Sequence, residues 1–200
     1  LSIFGDHQDV MACRQTGFAL LASSNVQQAM DLGTVAHLAA IKSHIPFLHF
    51  FDGFRTSHEM QKIEVIETDE VAKIVDWDEI KAFRDSALNP DHPVLRGTTV
   101  NPDIFFQLRE ATNKFYLPVP EIVEHYMNEI NKLTGRNYKP FNYYGSETAE
   151  EIIVAMGSGC DALRETITYI NEKENANIGL LEVHLYRPFS AEHFLSVMPK

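Results

Sequence analysis

Three stretches of the 200-residue sequence carry side chains whose types and spacing could do chemistry. The first is Ser2-Ile3-Phe4-Gly5-Asp6-His7-Gln8-Asp9, the densest polar turn in the chain. Gly5 permits a tight backbone there, and a neighbouring carboxyl and imidazole can orient a substrate or relay a proton. The same residues also read more plainly, with Asp6 capping a helix that carries Met11 to Arg14 while His7 packs. The second is Phe51-Asp52-Gly53-Phe54-Arg55-Thr56-Ser57-His58-Glu59, directly after an apolar run. Ligands of open α/β sheets gather beyond the carboxyl ends of strands, which makes Asp52, Arg55, Ser57 and His58 candidates. Ser57, with Glu59 or Gln61 following, equally suits the start of a helix. The third is Gly157-Ser158-Gly159. It lacks the third glycine of a dinucleotide turn and the lysine of a P-loop, so a tight strand-to-helix turn accounts for it.

Other chemistries find little support. The nine histidines are scattered and no pair has HExxH spacing. Cys13 and Cys160, the two cysteines, make no CxxC, cluster run or zinc pattern, and fit a reducing compartment. Neither they nor Thr16 has a paired base nearby in sequence, so no nucleophile is assigned. Seventeen basic against 28 acidic residues leave a net charge of −11, which argues against nucleic acid as a partner. No apolar run approaches the roughly 20 residues that a membrane helix needs.

The elements that must position these loops follow from hydrophobic pattern. Residues 17–24 form a short apolar run ending in two serines, and 46–51 another, bounded by Pro46 and the Asp52-Gly53 turn. Between them, 26–42 repeats its apolar residues at helical spacing behind Asn25 or Ser24 as a cap. Strand, helix and strand in this order predict a βαβ unit with parallel strands. Residues 68–133 read as an embellishment packed on that sheet. It has charged helical stretches at 69–86 and 118–133 around a turn-rich centre (Asn89 to Pro93, Arg96 to Thr99), and Gly135 ends the last helix. Phe105-Phe106 and Tyr143-Tyr144 read as packing residues. The aromatic, turn-rich 136–147 marks a domain boundary. A second βαβ then begins, with strands at 151–157 and 178–185, a helix at 161–174, and another helix opening at Pro188 and Ser190. The sequence starts at Leu1 without a targeting pattern and stops inside an apolar pattern, so it reads as an internal piece of a longer chain.

Longer strings say more. GDHQDVMACRQTGFA, FFDGFRTSHE, NPDIFFQLREA, LTGRNYKPFNYYG, IIVAMGSGCDAL and VHLYRPFS occur in one order through the whole chain. In these strings the sequence resembles the pyruvate:ferredoxin (flavodoxin) oxidoreductase family. The resemblance implies an α/β fold: residues 1–138 as the end of a parallel-sheet, pyrimidine-binding thiamine diphosphate domain, and 139–200 as the start of a transketolase-C-like domain. It implies a large homodimeric enzyme that converts pyruvate and coenzyme A to acetyl-CoA and CO2, with electrons passing to ferredoxin or flavodoxin. Thiamine diphosphate, Mg2+ and [4Fe-4S] clusters are the implied cofactors, and the cytoplasm or a hydrogenosome-like organelle the implied compartment.

The family's pyruvate-holding threonine and arginine, and its activating glutamate, would precede Leu1. No catalytic or metal residue is therefore carried onto this sequence, and the chain alone is expected to be inactive. The loop Ile3, Phe4, Gly5, Asp6 and His7 would follow the arginine closely and line the substrate pocket. Two enzymatic alternatives stand beside this reading: a fused relative that delivers electrons to NADP, and a transketolase or pyruvate dehydrogenase β-like subunit, which leaves FFDGFRTSHE unexplained. A non-enzymatic α/β interaction module is a further alternative.

Overall fold

The computed structural model describes residues 2–95, 97 and 99–199; Leu1, Arg96, Thr98 and Lys200, part of two expectations above, lie outside the described residues. The chain opens with a short helix α1 (Gln8–Ala12), then β1 (Ala19–Ala22), α2 (Val26–Ser43) and β2 (Phe47–Phe50). The apolar runs are the strands and the 3.6-period segment is the helix, as the spacing predicts. β1 and β2 pair in parallel, Ala19 opposite Phe47 and Ala22 opposite Phe50. Asn25 caps α2: its side chain accepts from the Gln28 N–H at 2.9 Å.

The middle of the chain is helical: α3 (Phe54–Ser57), α4 (Thr68–Ile74), α5 (Trp77–Asp85), α6 (Pro102–Ala111), α7 (Asn113–Tyr116) and α8 (Val119–Thr134). α8 carries the packing. Its Val123, Met127 and Ile130 meet Leu32, Val35 and Ala39 of α2 over Ala19, Leu21 and Leu185 in the main core. Gly135 ends it at φ +72°, a left-handed conformation that glycine adopts without a Cβ clash.

Here the structure corrects two expectations. The 69–86 stretch is two helices, because Val75 and Asp76 are extended between them, and Asp76 caps the second through the Glu79 N–H. The region is also only partly packed on the core. Ile66, Ile74, Val75 and Tyr116 reach it, but α6 buries none of its residues, and Phe106 is 74% exposed. Phe105 and Phe106 are therefore exposed residues of α6 and not core residues. Tyr143 and Tyr144 are half-buried, and Tyr144 stacks under the Arg164 guanidinium at 4.4 Å.

The last part holds β3 (Phe141–Gly145), β4 (Glu151–Ala155), α9 (Gly159–Glu174), β5 (Ile178–Val183), β6 (Leu185–Arg187) and α10 (Ala191–Ser196). β4 and β5 pair in parallel around α9, the second βαβ of the sequence reading. The aromatic 141–145 segment, read as a boundary without periodicity, is an antiparallel strand against β5. The run 178–185 is not one strand. It leaves the second sheet after Val183, and β6 joins β1 antiparallel in the first. Buried His184 makes the step: its backbone N–H bonds Pro140 O, and its carbonyl accepts from Ala22 N–H. The sheets run β2-β1-β6 and β3-β5-β4, so the fold is mixed α/β. Among the described residues, no helix is long and apolar enough to cross a membrane.

Candidate functional site

The carboxyl ends of β2 and β4 face the start of the chain, and three loops meet there. The centre is Asp52, 5% exposed, one residue beyond the apolar run that forms β2. Its Oδ2 accepts the Ser158 N–H at 2.7 Å. Its Oδ1 lies 2.5 Å from His7 Nε2. That contact falls outside hydrogen-bond angles, and the buried Nε2 has no hydrogen-bond partner among the described residues. Gly157 makes the approach possible. Its φ is +87°, and a Cβ there would stand 2.7 Å from Asp52 Oδ1 and 2.8 Å from His7 Cε1.

The sequence reading joined His7 to its neighbour Asp6, and the structure separates them. Asp6 closes its own turn, accepting Ser2 N–H at 2.6 Å and Gln8 N–H at 2.7 Å. These two amides, Ser2's above all, hold its exposed carboxyl below the usual carboxylate range. Asp6 thus holds its own turn and the Gln8 N–H, while His7, the residue that precedes α1 at its N-cap, turns to Asp52. His7 also sets its ring edge-on to Phe50 at 5.1 Å.

Ile3 and Phe4 stand exposed on the rim. The Ile3 carbonyl accepts the Phe54 N–H at 3.0 Å, and the Phe4 ring meets Phe54 at 5.3 Å and the Arg55 guanidinium at 5.6 Å. His58 stacks on the other side of Phe54, 4.8 Å away. Ser57 does not start a helix. It is the last residue of α3, and its hydroxyl donates back to the Gly53 carbonyl, the usual habit of a serine inside a helical turn. A cavity of about 710 Å³ opens beside this wall, lined by Phe4, Phe54, Arg55 and His58 on one side and Ser158 and Asp161 on the other. Of the nine candidates, Phe4, Arg55 and His58 line this cavity, Ile3, Asp6, Ser57 and His58 line a second one of about 560 Å³, and Gly5, His7 and Asp52 line neither. Asp6 serves its own turn and Ser57 its own helix.

A second buried cluster, which the sequence analysis did not single out, sits where the two sheets meet. Glu182 is fully buried on β5. It accepts from the Ser24 hydroxyl, from Gln28 Nε2 at 3.2 Å and from Arg164 Nη2 at 3.0 Å, with His184 Nε2 3.9 Å away. Burial pushes its pKa up, but His184, Ser24 and Arg164 together outweigh that and hold it below the usual range. The only sequence signal was a lone acid inside an apolar strand run, Leu181-Glu182-Val183. Next to it, burial and the Glu182 charge push the Cys160 thiol up to about 12, which removes it as a nucleophile. His49 is shifted the other way. Burial, and then the nearby His37, lower it to about 4, and its Nε2 is 2.7 Å from the Ser23 hydroxyl.

Among the described residues no three His, Cys, Asp or Glu side chains gather as a metal site. The best-placed carboxyl, Asp52, has both oxygens engaged. This donor set does not fit a diphosphate with its divalent cation. It fits a protein wall made of loops held in register.

Comparison with known proteins bears on what the wall encloses. Residues 1–128 match the family model described as pyruvate flavodoxin/ferredoxin oxidoreductase, thiamine diphosphate-binding. The chain is similar along its whole length to a pyruvate:ferredoxin oxidoreductase of Moorella thermoacetica (60% identical over 199 residues) and a pyruvate-flavodoxin oxidoreductase of Klebsiella pneumoniae (60% over 200). It is 50% identical over 200 residues to a pyruvate dehydrogenase [NADP(+)] of Cryptosporidium parvum. It spans 17% of the length of the first two relatives and 10% of the third. The chain belongs to the pyruvate flavodoxin/ferredoxin oxidoreductase family, and residues 1–128 are its match to that family's thiamine diphosphate-binding domain.

Proposed function

We propose that this chain is part of a larger thiamine-diphosphate-dependent oxidoreductase. That enzyme converts pyruvate and coenzyme A to acetyl-CoA and CO2 and passes the electron pair to ferredoxin or flavodoxin. The observation that carries the reading is 60% identity, over the whole of this chain, to a pyruvate:ferredoxin and a pyruvate-flavodoxin oxidoreductase. In this proposal the thiamine supplies the carbanion-stabilising chemistry. Mg2+, the [4Fe-4S] clusters and the coenzyme A contacts belong to regions beyond these residues, and the enzyme is a homodimer.

The chain's own part is structural and local. Phe4, Arg55 and His58 wall the substrate pocket and keep water from the reacting centre, with Ile3, Gly5, His7 and Asp52 supporting that wall from behind. Residues 1–138 finish the pyrimidine-binding domain, and 139–200 begin the transketolase-C-like one. The family match to residues 1–128 and the start of β3 at Phe141 support that division.

The test is product formation by the full-length enzyme: acetyl-CoA should form only with pyruvate, coenzyme A and thiamine diphosphate together. Similarity to the Cryptosporidium parvum enzyme favours a second reading, in which NADP takes the electrons. Offering ferredoxin, flavodoxin and NADP separately to the same preparation decides between them.

A further inference from the structure

We propose that Asp52 is a positioning residue: its buried carboxyl pins the Ile3–His7 loop to the Gly157-Ser158 turn and so sets the width of the cleft between α3 and α9. The pin joins the two sheets at their carboxyl edges. Asp52 follows β2 of the first sheet, and Ser158 follows β4 of the second. One carboxyl oxygen takes the Ser158 N–H at 2.7 Å and the other lies 2.5 Å from His7 Nε2, so the carboxyl is seated between the two loops. Gly157 is shaped to the same joint, since its missing Cβ would fall between Asp52 and His7. Asp52 itself does not line the cleft. Phe4 does, on the loop it holds, as do its partner Ser158 and, in the first turn of α9, Asp161. It acts through them.

The kinetic half of the proposal rests on the reaction proposed above, and the conformational half does not. Asp52→Asn keeps an oxygen for Ser158 and presents an N–H to His7 Nε2, so it should preserve the pin; Asp52→Ala removes it. In the full-length enzyme, Asp52→Ala should speed amide exchange about tenfold in the segments 2–8 and 156–160, while β1 and β5 exchange as before. The same variant should lose about tenfold in kcat/KM for pyruvate, mostly through KM, with Asp52→Asn restoring most of it. If Asp52→Ala does not fold, His7→Ala removes the loop side of the pin alone, and segment 2–8 should loosen.

Unchanged exchange in those segments would overturn the pin, as would faster exchange spread equally through β1 and β5. Altered exchange with wild-type kinetics, or no rescue by Asp52→Asn, would overturn the positioning role. A wild-type enzyme that turns over no 2-oxo acid would overturn the proposed reaction, while the exchange result still decides the pin.

Discussion

His7 Nε2 lies 2.5 Å from Asp52 Oδ1, so the residue just before α1 meets a residue two beyond the end of β2, with Gly157 closing the third side. Gly157→Ala forces a Cβ into that contact at a positive φ. The combined backbone and packing penalty is about 2–4 kcal/mol. Chemical denaturation of the chain should show it as a lower midpoint with an unchanged slope.

This junction also marks the limit of what the sequence makes legible. β1, α2 and β2 follow from two short apolar runs around a 3.6-period segment, and the Asn25 and Gly135 caps from local side-chain chemistry. Each signal lies within a few residues. The His7 to Asp52 contact and the Ser158 N–H on Asp52 join residues far apart in the chain, so residue order offered Asp6 as the nearer partner. The departure of β6 to the first sheet was hidden for a related reason. Residues 178–185 are apolar enough for one buried strand, and only the tertiary bonds of His184 show where the run divides. The exposed aromatics of α6 were misread because an apolar residue need not face a core.

Core and surface should differ sharply under mutation. Met127 is fully buried between α8 and α2, so Met127→Ala should cost about 2–5 kcal/mol. Phe106→Ser, on α6, should stay within about 0.5 kcal/mol of wild type. Paired urea titrations check both.

Glu182 anchors the joint between the sheets. Removing it leaves Arg164 with the Asp161 carboxyl at 3.3 Å and the Ser24 hydroxyl without its acceptor. Glu182→Ala should cost about 2–4 kcal/mol, below a fully buried pair because Arg164 is a third exposed. Glu182→Gln, which keeps an acceptor for Ser24, should cost less in the same titration.

His49 should make the fold acid-sensitive. Burial lowers it from 6.5 to about 4, so the unfolded chain binds this proton first. Its contribution is intact above about pH 6.5 and is lost as the pH falls toward 4. Between pH 7 and 5 wild type should lose about 2 kcal/mol more than His49→Gln. Equal losses in the two proteins would remove His49 as the cause.

The reaction proposed for the whole enzyme can be measured as pyruvate-dependent reduction of ferredoxin or flavodoxin by the full-length enzyme loaded with thiamine diphosphate. Reduction should require both pyruvate and coenzyme A and cease when either is withheld. An equal rate without pyruvate, or no reduction by the loaded enzyme, would contradict it.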